Sequence, residues 1–248
     1  MLSYDSAMSS IKGQTPASPA LLSNGHQNID QSASTIRLPA AHSNGVLTNG
    51  GAASTNGSAL SPSGAHHIWL VTGPAGCGKS TVAKYLASVL HLPYIEGDEF
   101  HPQANIDKMS AGIPLTDADR WDWLTALREA SLHELENGNP GVVLTCSALK
   151  RKYRDVIRVA PYFSPNLHLH FIYLDASEEL LLQRVMARQN HYMGANMVHS
   201  QFDILERPTK DEIDVVTIDV SRPVENVMAD ALDKVLETME TIKKDAKQ

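Results

Sequence analysis

Residues 67–81 read HIWLVTGPAGCGKST. The first six form an apolar run short enough for a buried strand. It passes without interruption into Gly73-Pro74-Ala75-Gly76-Cys77-Gly78-Lys79-Ser80, a full match to G-x-x-x-x-G-K-[ST]. Behind it, in STVAKYLASVLHL, the residues Val82, Tyr85, Leu86, Val89 and Leu90 recur at i, i+3, i+4, i+7 and i+8. That spacing predicts one buried face of a helix. The glycine loop therefore has the strand before it and the helix after it that the motif requires. Gly73, Gly76 and Gly78 let successive backbone N–H groups turn onto one anion, and the new helix adds the positive end of its dipole. On this reading Gly73 to Thr81 cradle the phosphates of a nucleoside triphosphate, with Lys79 reaching the β- and γ-phosphates and the Ser80 hydroxyl ligating Mg²⁺; the loop alone does not separate a kinase from a GTPase switch or a motor ATPase. Cys77 reads as a tolerated filler of the loop, because nothing around it in sequence argues for a depressed thiol pKa.

Outward from the loop, short apolar runs at 68–72, 93–95, 142–145, 169–174 and 215–218 read as buried strands. Helical patterns lie between them. One is expected to start at Thr116, where Thr116 and Asp119 suggest a capping box, and to end near Gly138. Another is expected from about Pro223 to Lys243, with Val227, Leu232, Val235, Leu236 and Met239 inward. Strands alternating with helices imply an α/β fold with a parallel sheet covered on both faces. A single domain over residues 66–248 is the economical division. Residues 1–65 are rich in Ser, Ala, Asn and Gly with an aperiodic [Ser/Thr]-Asn-Gly refrain, a composition expected to stay disordered.

The 248 residues carry a net charge of −7, so no basic footprint points to nucleic acid or an anionic membrane. No apolar run approaches the roughly 18 residues of a membrane-spanning helix. Cys77 and Cys146 form no metal or disulfide pattern, which fits a reducing compartment and a cytoplasmic location.

The next stretch, Tyr94 to Met109, reads YIEGDEFHPQANIDKM and ends an apolar run in Glu96 and Asp98. Two residues apart on a strand, the two carboxylates would share a side. Alone, they fit a structural pair, a metal site or a substrate pocket. Further candidates for handling anions follow. CSALKRKYRD places Lys150, Arg151, Lys152 and Arg154 just after the third strand, at the end where open parallel sheets bind ligands. Arg151 and Arg154 could equally pair with surface acids. Asp119 and Arg120 in LTDADRW form another candidate clamp. Arg184 and Arg188 lie four apart on one helix face, a spacing that costs about 0.2–0.5 kcal/mol unless an anion sits between them. They predict a lid closing on phosphate, continued by NHYMGANMVHSQFDILERP (190–208). His168 and His170 share a strand face but lack a third ligand, so no metal site is expected there. The GTPase pattern Asn-Lys-x-Asp is absent.

Taken together, GPAGCGKSTVA, IEGDEFHPQANIDKMSAGIPLTDADRWDWL, CSALKRKYRDVIR and SQFDILERP resemble the gluconokinases of the small P-loop kinase group, relatives of shikimate and nucleoside monophosphate kinases. The similarity runs from about residue 67 to 245. It implies a five-stranded parallel sheet in the order 2-3-1-4-5 with a mobile helical lid. The implied reaction is ATP plus D-gluconate giving ADP and 6-phospho-D-gluconate, feeding the pentose phosphate route, with Mg²⁺ as cofactor and a homodimer as the assembly. Beside the phosphate loop, Asp98 is expected to meet the acceptor hydroxyl as base or orienting group and Glu96 to help hold Mg²⁺ through water, the alternative being a structural carboxylate pair held by nearby Lys or Arg. Arg120 and Lys150 take the carboxylate or hydroxyls of gluconate, with His101 and Lys108 as further acceptor-side candidates. Thr217–Pro223, TIDVSRP, resembles the loop that packs on adenine. The alternatives are a kinase of a shikimate-like or nucleoside monophosphate acceptor, or a nucleotide-binding regulator without catalysis.

Overall fold

The computed structural model describes residues 64–164, 166–187 and 194–246. The expectations for residues 1–65 (Gly64 and Ala65 apart) and for Arg188 lie outside the described residues. In chain order the elements are β1 (His66–Thr72), α1 (Lys79–Leu90), β2 (Tyr94–Ile95), α2 (Gln103–Ser110), α3 (Trp121–Glu136), β3 (Gly141–Thr145), α4 (Arg151–Ile157), β4 (Leu167–Asp175), α5 (Glu178–Ala187), α6 (Gly194–Asp203), β5 (Val215–Asp219) and α7 (Val224–Asp245). All strand pairs are parallel, and the order across the sheet is β2-β3-β1-β4-β5, as the resemblance implied.

Central strand β1 explains the layering. Its pleat sends Trp69 and Val71 to one face and Ile68 and Leu70 to the other. The first face is covered by Val82, Leu86 and Leu90 of α1, Leu181 and Val185 of α5, and Val227 and Val235 of α7. Trp123, Leu124 and Leu127 of α3, with Tyr153 and Ile157 of α4, cover the second. Burial on both sides is why the strands read as continuous apolar runs rather than alternating ones.

Several expectations need adjustment. The buried stripe of α1 is Val82, Ala83, Leu86, Ala87 and Leu90, whereas Val89 is 43% exposed and Tyr85 only half-buried. The two alanines let the helix backbone lie close to the sheet, which rotates the stripe away from Val89. In α7 the inward row is Val227, Ala231, Val235 and Met239, strictly four apart, so Leu232 is half-buried and Leu236 is 41% exposed. α3 begins at Trp121 rather than Thr116, after a 3₁₀ turn at Ala118–Arg120. The capping box is half made: the Asp119 carboxylate accepts the Thr116 N–H at 2.8 Å, but the Thr116 hydroxyl donates to the same carboxylate instead of capping the helix. Helices α2 and α4, with few apolar residues between them, were not anticipated.

Candidate active site

The phosphate loop leaves β1 with Gly73 at φ +141°, where a side chain would lie 2.9 Å from both Leu174 O and Cys77 Sγ. Only glycine fits that crossing. Gly78, at φ +102°, then turns the chain into α1 at Lys79. The Lys79 ammonium folds back across the loop and donates to Gly73 O (2.9 Å) and Pro74 O (3.0 Å). Cys77 faces the core, and burial pushes its thiol pKa up, so it is an inert part of the loop's packing. The loop's outer side is met by another element: Ala75 N–H donates to Gln201 Oε1 of α6 at 2.6 Å.

Beside the loop, Glu96 follows the end of β2. Its carboxylate accepts from the hydroxyls of Tyr94 (2.5 Å) and Thr145, and the Ser80 hydroxyl also acts on it. Burial would raise its pKa, but the hydrogen bonds from Thr145, Tyr94 and Ser80 outweigh it and hold the carboxyl below its ordinary value. The ionised Glu96 and the Ser80 hydroxyl thus meet at the start of α1. Such an oxygen-rich pair suits a hard divalent cation with retained waters.

Asp98 does not share a strand with Glu96. β2 closes at Ile95, and Gly97–Phe100 form a 3₁₀ turn, so the alternation argument fails although the residues remain adjacent. The cause is Gly97, pressed onto β3: its N–H donates to Thr145 Oγ1 at 3.0 Å, its carbonyl accepts from Trp123 Nε1 at 2.7 Å, and a Cβ there would lie 1.9 Å from Thr145 O. The turn lifts Asp98 into an exposed position, its carboxylate without a hydrogen bond among the described residues. Burial pushes the thiol of Cys146, at the carboxyl end of β3, up to about 12, and the charges of Lys79, Asp98 and Arg120 all act on it.

On the acceptor side the candidates are held by one another. Lys150 donates to Asp117 Oδ1 at 3.0 Å, and Lys152 and the Tyr153 hydroxyl also reach the Asp117 carboxylate. Hydrogen bonds from Lys152, Tyr153 and Lys150 hold the Asp117 pKa well below the usual carboxylate range. Arg120 donates to Leu115 O (2.5 Å) and Thr116 O (3.0 Å), and its guanidinium lies 5.3 Å from the Tyr153 ring centroid. Lys108 pairs with Asp119 at 2.6 Å, and its hydrogen bond, with those from Thr116, holds Asp119 at about 2. His101 is buried and stacks on Trp123 at 4.1 Å between ring centroids; burial lowers its pKa.

The remaining candidates are held by other partners. Arg154 is neither a surface pair nor exposed: only 2% accessible, it grips Glu212 through Nε (2.7 Å) and Nη2 (2.6 Å) and donates to Ala148 O and Glu206 O. It buttresses the strand end from below. Arg151 pairs with Asp211 at 2.7 Å. Arg184 donates to Val220 O at 2.6 Å, tying α5 to the turn after β5, within the TIDVSRP segment. Sequence reasoning overlooked Asp117, Tyr94, Thr145, Tyr153 and Gln201. All five stood inside stretches already singled out, but their pairings leave no local trace, since the partners of Thr145 and Gln201 are 49 and 126 residues away.

Residues 70–202 match the AAA_18 family, described as an AAA domain. A probable gluconokinase of Schizosaccharomyces pombe is 52% identical over 168 residues, covering 67% of this chain and 86% of the relative. The thermoresistant gluconokinase of Escherichia coli is 40% identical over 72% of this chain and 95% of its own length. The crystal structure of a gluconokinase from Sinorhizobium meliloti superposes with a TM-score of 0.64 at 38% identity, covering 72% of this chain and 97% of that one.

Proposed function

Since the chain belongs to the gluconokinase family of P-loop kinases, we infer that it phosphorylates D-gluconate with ATP, giving ADP and 6-phospho-D-gluconate in gluconate catabolism. The observation that carries the reading to the residues is the Lys79 ammonium folded over the phosphate loop, with the Glu96 carboxylate held by Thr145 at the end of β3 and the exposed Asp98 two residues on. Phosphoryl transfer through a loose transition state depends chiefly on positioning and charge. Lys79 exchanges its two loop carbonyls for the β- and γ-phosphate oxygens. Asp98, exposed and with its carboxylate unpartnered by hydrogen bonds among the described residues, orients the acceptor hydroxyl and takes its proton as the bond to phosphorus forms. Arg120 and Lys150 receive the sugar acid. Lys150 is already paired with a carboxylate, Asp117, the same group that gluconate presents. His101 and Lys108 shape the acceptor pocket through Trp123 and Asp119, and Arg184 with Arg188 neutralises phosphate from the lid side.

Ser80 and Glu96 are the residues that would hold Mg²⁺, Ser80 directly and Glu96 through water; the lowered pKa of Glu96, to which the Ser80 hydroxyl contributes, supports that assignment. When bound, the ion would screen the β- and γ-phosphate charge. No helix among the described residues is long and apolar enough to cross a membrane. The working form we propose is a cytoplasmic homodimer, binding neither membrane nor nucleic acid, whose catalytic domain is residues 66–248. Deleting residues 1–65 should therefore leave turnover intact, and light scattering should report twice the chain mass. The deciding experiment is a coupled ADP assay with gluconate, gluconate epimers, shikimate and nucleoside monophosphates. Turnover should be confined to gluconate; turnover with shikimate or a nucleotide instead would overturn the acceptor assignment.

A further inference from the structure

Gln201 occupies a place in the nucleotide site that its motif does not announce. α6 is anchored by Val198, fully buried in the cluster that also holds Cys77, Leu181 and Val185, with Phe202 half-buried beside it. That anchorage sets Gln201, three residues after Val198, against the rim of the phosphate loop. There Oε1 accepts the Ala75 N–H at 2.6 Å. An N–H donor pairs only with the oxygen of a carboxamide, so the orientation of the amide is fixed, with Nε2 and its two hydrogens turned away from Ala75 N. Nε2 has no acceptor among the described residues. A short, well-held bond on one side and two unused donors on the other is the arrangement of a group waiting for a ligand oxygen.

Which oxygen follows from Lys79. The lysine of this loop serves the β- and γ-phosphates, and its ammonium here rests on Gly73 O and Pro74 O. The first residues of the loop thus border the terminal phosphate, whereas the start of α1 cradles the inner ones. Ala75 follows Pro74 directly. Gly76, next in line, is pressed by α5, since a Cβ there would lie 3.2 Å from Val185 Cγ2. α5 and α6 together close the outer wall of the loop at its γ-phosphate end.

We propose that Gln201 is a catalytic residue of the kinase reaction: its Oε1 fixes the Ala75 rim of the loop, and its Nε2 donates to the transferring phosphoryl group of ATP. A neutral donor suits this place, because it orients the group without adding to the charge of Lys79. The contact exists with ATP and ends when the phosphoryl group has left, so Gln201 distinguishes the triphosphate from the diphosphate. This rests on the reading of Gly73–Ser80 as an ATP cradle, which the wild-type gluconate assay tests separately.

Gln201→Glu tests this, because a carboxylate still accepts the Ala75 N–H but, with nothing to donate and a negative charge added, turns the contact with the phosphoryl group from attraction to repulsion. The full-length variant should bind ADP within about threefold of wild type, yet bind a non-hydrolysable ATP analogue at least about tenfold more weakly, the size expected for losing a hydrogen bond to a charged group. With saturating gluconate its kcat should fall by a similar factor. Gln201→Leu, which also frees Ala75 N–H, should weaken both nucleotides. If Gln201→Glu weakens ADP and the ATP analogue equally, Gln201 is only a loop support and the proposal is overturned. Unchanged binding of both would overturn it as well. Should Gln201→Leu fail to fold, the Glu variant alone still separates phosphoryl contact from loop support.

Discussion

The two halves of the site are made of different material. The donor half, Gly73 to Ser80, is built from backbone: positive-φ glycines and a lysine resting on its own loop's carbonyls. The acceptor half, between Leu115 and Tyr153, is built from side chains that neutralise one another, with Asp117 shared by Lys150, Lys152 and Tyr153, and Asp119 paired with Lys108. The loop presents a cradle to any phosphate chain, which is why it recurs across many kinases. The acceptor half holds its cations on internal carboxylates, so a ligand must offer a carboxylate of its own to compete. General binding comes from backbone, and choice of acceptor from side chains.

The sharpest break in that comparison is at Lys79, the cation that the loop itself carries. Lys79→Ala should lower kcat by about 10³-fold, as expected when a group aimed at developing charge is removed from a preorganised site. Gluconate binding, measured without nucleotide, should remain. A loss of gluconate affinity of the same size would mean that the halves are not separable.

Arg154→Met tests the acceptor half from beneath. Among the described residues it leaves the buried Glu212 carboxylate with Arg158, at 2.6 Å, and the Thr209 N–H, at 3.3 Å. Burial favours protonating Glu212, and hydrogen bonds from Arg154 and Arg158 hold it down to about 2. Breaking a buried pair of this kind costs about 3 kcal/mol of stability. Because Arg154 also braces Ala148 O and Glu206 O, the KM for gluconate should rise while that for ATP stays near wild type. Denaturant melts and the two KM values check both parts. Smaller in effect, Asp98→Asn should cut kcat at least about a hundredfold, the lower range for losing a general base, with ATP still bound. Turnover near wild type would remove Asp98 from the site.

The same division decides what could be read from the chain. Every strand was legible, because parallel strands covered on both faces are apolar throughout, and the loop was legible because its glycines obey backbone rules that sequence records directly. The acceptor half was legible only as a set of charges. Which acid meets which base depends on β3 and α4 lying beside the 115–120 segment, and nothing near Asp117 in sequence says that Lys150 is its partner. Asp98 was placed near the site by an argument about strand alternation that the Gly97 turn invalidates. Its proximity survives because Gly97 packs on Thr145, a contact between residues 48 apart. Short helices such as α2, whose one buried residue is Asn105, bury too little to leave a periodic trace.

A region belonging to neither half supplies the control, with the smallest effect. At the amino end of the sheet, away from the site, His67 and His170 lie on neighbouring strands, with Nδ1 and Nε2 3.4 Å apart and the His170 ring 4.2 Å from that of Trp69. Burial, reinforced by the positive neighbours His168, Lys243 and His66, lowers His67 from 6.5 to about 4; burial and the two histidines beside it lower His170 to about 3. The unfolded chain therefore binds more protons than the folded one once the pH falls below 6.5. The stability owed to the neutral rings is complete above that value. It drains away as the pH falls from 6.5 towards 4 and then 3. At pH 5 the deficit is about 2 kcal/mol per ring, an upper bound from 1.36 kcal/mol per pKa unit. His170→Phe keeps a flat ring on Trp69 and removes one titration, so the drop in Tm between pH 7.5 and pH 5 should shrink by about 4–8 °C. Both KM values should stay unchanged at pH 7.5, because the stack lies at the opposite end of β1 from the loop. An unaltered acid slope would show that the imidazole pair does not set the acid limit, and a shift in either KM would show that this end of the sheet communicates with the site.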